Sequence, residues 1–163
     1  GNYYTDWIAD ELFIVFHATE NIEANQLVNY ALKFSYKLIQ SREDFSNSYG
    51  IPKAIDIGLS AGEALLGLMG PDGHKKATAL GEIPGRSRRL QTAGKLLRSE
   101  YGENDRIVFG EDCLFGMTMG FDIKEHSLGS NSIRDVDDRE FFYIEPTADE
   151  DIAEIPTLLK KIS

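Results

Sequence analysis

The sequence has little cysteine and no long hydrophobic run. Cys113 is the single cysteine among 163 residues, which excludes an internal disulfide and a cysteine-rich zinc module and fits a reducing compartment. We interpret Cys113 itself as a small buried apolar residue. No apolar segment approaches the length of about 18 residues that crosses a bilayer as a helix. We therefore expect a soluble, cytoplasmic protein without direct membrane contact.

Basic residues are also scarce. The chain has 17 Lys and Arg against 27 Asp and Glu, a formal net charge of -10 and a pI near 4.7. A surface of that sign repels polyanions, so we expect no nucleic-acid partner. A small, local cationic site is still compatible with this composition.

The hydrophobic pattern of the first half alternates between strand and helix. Five consecutive apolar residues predict a central strand from Glu11 to His17, with 7–10 as a hairpin arm beside it. Helical spacing then predicts a helix from Thr19 to about Arg42, capped by Thr19 or Asn21. The polar segment 46–50 is expected to be a loop.

The second half continues the mixture of hairpins and crossovers. Strands are expected at 54–60, 63–69, 75–80, 106–109, 120–127 and 141–145, with 63–69 pairing to 54–60. A helix is expected from Pro84 to about Tyr101, with Leu90, Ala93, Leu97 and Tyr101 on its apolar face, and a short one at 111–117. The pattern predicts an α+β domain with a mixed, mainly antiparallel sheet and helices packed on it.

The most informative residues lie between positions 58 and 90. The segment 58–70 contains Gly58, Gly62, Gly67 and Gly70, Thr78-Ala79-Leu80-Gly81-Glu82 follows, and then Arg89-Leu90. Glycines alone indicate tight turns and close backbone approaches. Spacing and order together resemble the catalytic domain of class III nucleotidyl cyclases, the adenylate and guanylate cyclases. The resemblance runs from about Trp7 to Tyr143, and it implies the ferredoxin-like α+β palm of that family.

The resemblance assigns roles to three residues. Asp10 matches the second of two aspartates that hold the catalytic metals, Mg²⁺ or Mn²⁺, and the strand with the first would lie upstream of Gly1. Thr78 stands where bacterial members have a threonine that contacts the base. Arg89 matches the arginine that stabilises charge on the reacting phosphates. The resemblance thus implies a cyclase homology domain over 1–145 without its leading strand, then a tail or linker over 146–163.

Two positions depart from the family pattern. Asp6 stands where an adenine-reading lysine is expected, and an ionised carboxylate cannot donate to a ring nitrogen. Gly85 stands where an asparagine orients the ribose and phosphate. We therefore expect a weakly active or inactive domain in cyclic-nucleotide signalling that binds ATP or another nucleoside triphosphate. The alternative is an active adenylate cyclase, making cyclic AMP and pyrophosphate once the upstream strand is present.

The family's active unit is a head-to-tail dimer, so the resemblance implies a homodimer or a heterodimer with another cyclase domain.

A cationic cluster is the predicted binding site of the triphosphate. The alternative is that these side chains are solvated or paired with carboxylates. Its members are Lys75, Lys76, Arg86, Arg88 and Arg89. Asp10 is either a relic of a metal site or a solvated turn carboxylate, and Thr78 is otherwise a strand former. The segment containing Asp135, Asp137 and Asp138 is interpreted as a solvated turn.

Overall fold

A computed structural model describes residues 3–8, 11–50, 54–117, 122–127 and 140–146. The elements within these ranges, in chain order, are β1 (Tyr3–Ile8), β2 (Glu11–Phe16), α1 (Ala24–Tyr49), β3 (Asp56–Leu59), β4 (Leu65–Met69), β5 (Lys76–Leu80), α2 (Glu82–Tyr101), β6 (Arg106–Phe109), α3 (Glu111–Leu114), β7 (Lys124–Ser127) and β8 (Glu140–Ile144). Asp10 and everything after Pro146, including most of the expected tail, lie outside them, as does the segment around Asp135.

The strands form a four-stranded sheet and two hairpins. The four-stranded sheet has the order β3-β6-β8-β7, in which only β3 and β6 run parallel among the described pairs. The hairpins are β1 with β2 and β4 with β5, both antiparallel. Mixed pairing with antiparallel pairs in the majority, next to helices, confirms the α+β class.

The core lies on both faces of the four-stranded sheet. Side chains alternate along a strand, so Ile107 and Phe109 of β6 pack with α1 while Val108 between them packs with α2. On the α2 side, the expected apolar face is buried at Leu90, Ala93 and Leu97. Tyr101 is a correction, because it is 49% exposed and instead stacks on Tyr143 at a centroid distance of 6.4 Å.

The first helix differs from the prediction at both ends. It begins at Ala24, after a capping box in which Glu23 and Gln26 bond to each other's backbone N–H groups. Thr19 does not cap it, because residues 19–22 form a separate turn. The helix continues through the expected loop at 46–50 and ends at Gly50, in the left-handed conformation with φ of 69°. Glycine adopts that conformation without strain, so Gly50 ends the helix where the polar residues before it do not.

The expected pairing of 63–69 with 54–60 is wrong. β4 pairs with β5, in the register Gly67 opposite Thr78, while β3 pairs in parallel with β6. Two neighbouring strands with glycines between them resemble a hairpin, but β3 is joined to β6 by a crossover through α2.

β6 has the predicted bounds, α3 ends three residues before the predicted position, and the described part of the predicted 120–127 strand begins at Lys124.

Cys113 is buried at 1% exposure, as expected. Burial, together with the charge of Asp112, raises the pKa of its thiol to about 12. Within the described ranges, neither long helix has a stretch apolar enough to cross a bilayer.

Candidate functional site

The β4–β5 hairpin presents Thr78 at the centre of one face. Thr78 is half-buried and lies directly across from Gly67. A side chain at Gly67 would meet no atom within 4 Å, so the space beside Thr78 is open. Thr78 is therefore placed where a ligand can reach its hydroxyl.

The hairpin and α2 are joined by a single residue, Gly81. Gly81 has φ of 130°, which other residues rarely adopt, and it is the N-cap of α2. Because glycine can adopt this conformation, the chain turns sharply from the end of β5 into α2 within one residue. Thr78 and the first turns of α2 are thus kept close along the chain.

Arg89 lies one turn after Gly85 on the same face of α2, as the spacing of four predicts. Its Nη2 atom would stand 3.9 Å from a Cβ placed on Gly85. The guanidinium therefore reaches back toward the position where the family has an asparagine. The space between them accommodates a side chain at ordinary contact distance.

Four of the five predicted cationic residues are paired with carboxylates. Nitrogen to oxygen distances are 3.0 Å for Lys75–Asp72, 3.1 Å for Lys76–Asp6, 3.6 Å for Arg86–Asp112 and 3.2 Å for Arg88–Glu11. The alternative of pairing is therefore confirmed for these four. Arg89 has interactions of its own in this structure.

Two of these pairs tie the β1–β2 hairpin to the elements of the candidate site. Asp6 on β1 contacts Lys76 on β5, and Glu11 on β2 contacts Arg88 on α2. These contacts bring Asp6 and Glu11 next to the strand that carries Thr78 and the helix that carries Arg89. Lys76 is a member of the predicted cationic cluster, and its spacing of two from Thr78 places both on one face of β5, but the sequence does not predict its contact with Asp6.

The carboxyl ends of the parallel strands β3 and β6 are held together by Asp112. It accepts a hydrogen bond from the backbone N–H of Ala61 at 2.7 Å and faces Arg86. Asp112 and Arg86 both pack against Gly110, where a Cβ would stand 2.6 to 2.7 Å from their polar atoms. Asp112 Oδ2 is thus hydrogen-bonded, whereas its buried Oδ1 has the Arg86 guanidinium at 3.6 Å and no hydrogen-bond partner.

The described carboxylates do not assemble a metal centre. Asp6 and Glu11, the acidic residues nearest the β1–β2 turn, each face a cation, and no group of three potential ligands exists among the described residues. A Mg²⁺ or Mn²⁺ ion takes about six ligands, mostly oxygens. Asp10 lies outside the described residues, so its assignment as a metal ligand stays a prediction.

Both faces of β4 are exposed. Its large apolar side chains are 42 to 70% exposed, and Leu80 on β5 is 42% exposed. These residues, defined here as the apolar arm, are Leu65, Leu66, Leu68, Met69 and Leu80. A two-stranded hairpin is marginally stable by itself in water, and clustered exposed apolar residues mark interaction surfaces.

Comparison of the chain with protein-family models, with curated proteins and with solved structures gave no match.

Proposed function

We propose that this chain is a class III nucleotidyl cyclase homology domain in cyclic-nucleotide signalling, with nucleoside triphosphate binding retained and turnover weak or absent. The observation that carries the proposal is the placement of Thr78 and Arg89. They stand on consecutive elements joined by one residue, and Arg89 reaches back over Gly85. This is the order in which the family places its base contact and its phosphate arginine.

In the family reaction, the ribose 3′-oxygen attacks the α-phosphorus, the bond to the β-phosphate oxygen breaks, and pyrophosphate leaves. The proton of the 3′-hydroxyl is lost to solvent or a base. The part we assign to Arg89 is stabilisation of the negative charge that grows on the phosphate oxygens. Thr78 contacts the base.

Two features support weak turnover. Gly85 supplies no amide to orient the ribose and phosphate, and Asp6 and Glu11 each form an ion pair with a basic residue. Loss of one preorganised donor typically costs about 10²–10³ in rate. A metal ion, Mg²⁺ or Mn²⁺, would require Asp10 together with ligands from an upstream strand.

The apolar arm supports a dimeric unit. A homodimer, or a heterodimer with another cyclase domain, would cover the exposed leucines of β4 and could bring a second set of site residues opposite Thr78 and Arg89. Obligate and stable interfaces bury about 800 Å² or more per partner. The arm gives such an interface its apolar centre.

The test is nucleotide binding and turnover by this chain. We expect saturable binding of ATP with Mn²⁺ by calorimetry, and cyclic AMP formation close to background. Arg89→Ala should weaken ATP binding by about 10- to 100-fold, because a charge-assisted hydrogen bond contributes about 1.5–3 kcal/mol. Arg88→Ala is the matched control, since Arg88 is 69% exposed and pairs with Glu11, and it should change the affinity less than about threefold.

Two results would contradict the proposal in different ways. If neither ATP nor GTP binds saturably, the domain is not a nucleotide-binding relative of the cyclases. Rapid cyclic AMP formation that disappears in Arg89→Ala would instead establish the alternative, an active adenylate cyclase.

A further inference from the structure

The sulfur-bearing side chains of the described residues differ in their exposure to solvent. Met69, on β4, is 48% exposed. Cys113 is 1% exposed, and Met117 is half-buried against the core cluster that contains Cys113. Met119 lies outside the described residues. We therefore expect an oxidant in solution to reach Met69 more readily than the other two described sulfur atoms.

The chemistry of the two sulfur groups adds to this difference. A cysteine reacts with peroxide as the thiolate. Burial, together with the charge of Asp112, raises the pKa of the Cys113 thiol to about 12, so this residue is protonated as well as buried at neutral pH. A thioether has no proton to lose, and its access to the oxidant decides how fast it reacts.

Met69 belongs to the apolar arm. It is the last residue of β4, and Leu65, on the same face of that strand, is 70% exposed. A methionine thioether is apolar and polarisable, and it adapts to the surface of a partner. A sulfoxide is polar, and burial of its oxygen without a hydrogen bond is unfavourable. Oxidation of Met69 thus removes apolar character from the surface that is proposed to meet a second copy.

We propose that Met69 is a site of oxidation by hydroperoxides, and that its oxidation weakens the association of two copies of this chain through the apolar arm. The thioether sulfur attacks one peroxide oxygen, and the O–O bond breaks. The hydroxyl proton of the attacked oxygen passes to the departing oxygen. Sulfur is oxidised to the sulfoxide, and hydrogen peroxide is reduced to water. This inference rests on the dimeric unit of the proposed function.

Oxidation and association oppose each other. A second copy that covers the apolar arm also shields Met69, so the reaction takes place in the monomer. The oxidation rate of Met69 should therefore fall as the protein concentration rises through the range in which the chain associates. The rate at Met117, which is packed against the core of its own chain, should stay constant over the same range.

Peroxide treatment of the natural chain tests both parts. Mass spectrometry of proteolytic peptides measures the oxidation of each methionine, and sedimentation velocity across a concentration series measures self-association. In dilute protein, we expect Met69 to be oxidised about tenfold faster than Met117 or more. The oxidised chain should associate about tenfold more weakly, because the interface would bury an unpaired polar group. Treatment with methionine sulfoxide reductases should restore the association.

Met69→Leu is the matched control. Leucine has a similar volume and no sulfur, so this variant should associate within about threefold of the natural chain and should not respond to peroxide. Met69→Gln places a polar group in the arm without an oxidant and should associate about tenfold more weakly. Leu96→Gln makes a similar change at a residue that is 45% exposed and outside the apolar arm, and it should have no effect. Thermal unfolding of each variant checks the fold.

The outcomes separate this inference from the proposed function. Equal oxidation rates at Met69 and Met117, or an equal response of the natural chain and Met69→Leu to peroxide, would overturn the inference while the dimer stands. An oxidised chain that associates as strongly as the reduced one would do the same. A natural chain that is monomeric at every concentration would overturn the dimeric unit together with this inference, and ATP binding by calorimetry tests the rest of the proposed function independently.

Discussion

At the scale of single residues, glycine has two opposite roles in the candidate site. A Cβ on Gly58 would overlap the carbonyl oxygen of Ser87 and stand 2.5 Å from the backbone nitrogen of Gln91. Gly85 and Gly67, by contrast, face open or ordinary contact space. The sequence has glycine at all three positions. Only the structure shows that a side chain is excluded at Gly58 and has room at Gly67 and Gly85.

Replacement of Gly85 by Asn is expected to strengthen the site. An Asn side chain fits, because a Cβ there stands 3.9 Å from Arg89 Nη2, and its amide can meet the phosphate that Arg89 is proposed to bind. Asn also has the higher helix propensity, by a few tenths of a kcal/mol. We expect Gly85→Asn to raise ATP affinity or cyclic AMP formation in the assay with Mn²⁺.

Gly85→Ala is the control for that variant, since alanine gives the backbone effect without the amide. Both variants should unfold at temperatures equal to or above that of the natural chain. An increase of binding or turnover that is equal in both would show that helix stability, not the amide, is responsible.

At the scale of elements, β3 lies so close to α2 at Gly58 that there is no room for a side chain at that position. Gly58→Ala is therefore expected to destabilise the protein by about 3 kcal/mol, the upper range for overpacking, because the contacting atoms belong to the helix backbone and cannot rotate away. Urea unfolding followed by circular dichroism measures it. Gly67→Ala is the matched variant, and with nothing within 4 Å of its Cβ it should leave stability unchanged or slightly higher.

The β4–β5 hairpin yields a second prediction at this scale. Leu68 is 70% exposed, so Leu68→Glu should preserve the unfolding temperature of the monomer but weaken self-association about tenfold or more. Sedimentation velocity across a concentration series measures the association. Phe115→Glu makes the same change of charge at a residue that is 86% exposed and outside the apolar arm, and association weakened equally by both variants would argue against the arm.

Sequence patterns predicted individual elements better than their partners. The strand at 106–109 was predictable because four buried residues sit between polar boundaries, and helix α2 because its apolar residues follow helical spacing. The pairing of β4 with β5 was not, since pairing depends on contacts that are distant along the chain. The ion pair of Asp6 with Lys76 was not predictable for the same reason, and the choice of Thr78 and Arg89 as candidates depended on a resemblance to a family.

At the scale of the whole molecule, Glu145, which directly follows β8, pairs with the first residues of the strands β6 and β7. It faces Arg106 at 2.7 Å and Lys124 at 2.6 Å, and it accepts a hydrogen bond from Asn104 at 3.2 Å. Arg106 is fully buried. Burial alone would raise the pKa of Glu145, but the hydrogen bonds from Lys124, Asn104 and Arg106 and the charge of Arg106 together lower it.

A lowered pKa makes the contribution of Glu145 to stability depend on pH. The stabilisation is present above the ordinary value of 4.5 and is lost as the pH falls through the lower folded value. Glu145→Gln should cost about 3 kcal/mol at neutral pH, because it leaves a buried arginine without its carboxylate. The free energy of urea unfolding, measured from pH 7 to pH 3, should fall less steeply in the variant than in the natural chain.

Asp56 is the comparison carboxylate. Burial raises its pKa although Arg98 lies 2.5 Å away and opposes the shift, so the ionised form of Asp56 destabilises the folded protein at neutral pH. Protonation of Asp56 on acidification therefore raises the free energy of unfolding, whereas protonation of Glu145 lowers it. If Glu145→Gln and the natural chain lose stability in parallel on acidification, the acid sensitivity arises from other carboxylates.

The joint at Gly81 has a mechanical consequence. Leu80 ends the last strand of the hairpin and Glu82 begins the helix, so one residue of backbone separates the two. A connection of one residue leaves little freedom between the two elements, so we expect a tilt of the hairpin to reorient the first turns of α2. We therefore expect a displacement of the apolar arm to shift the helix that carries Arg89 as well.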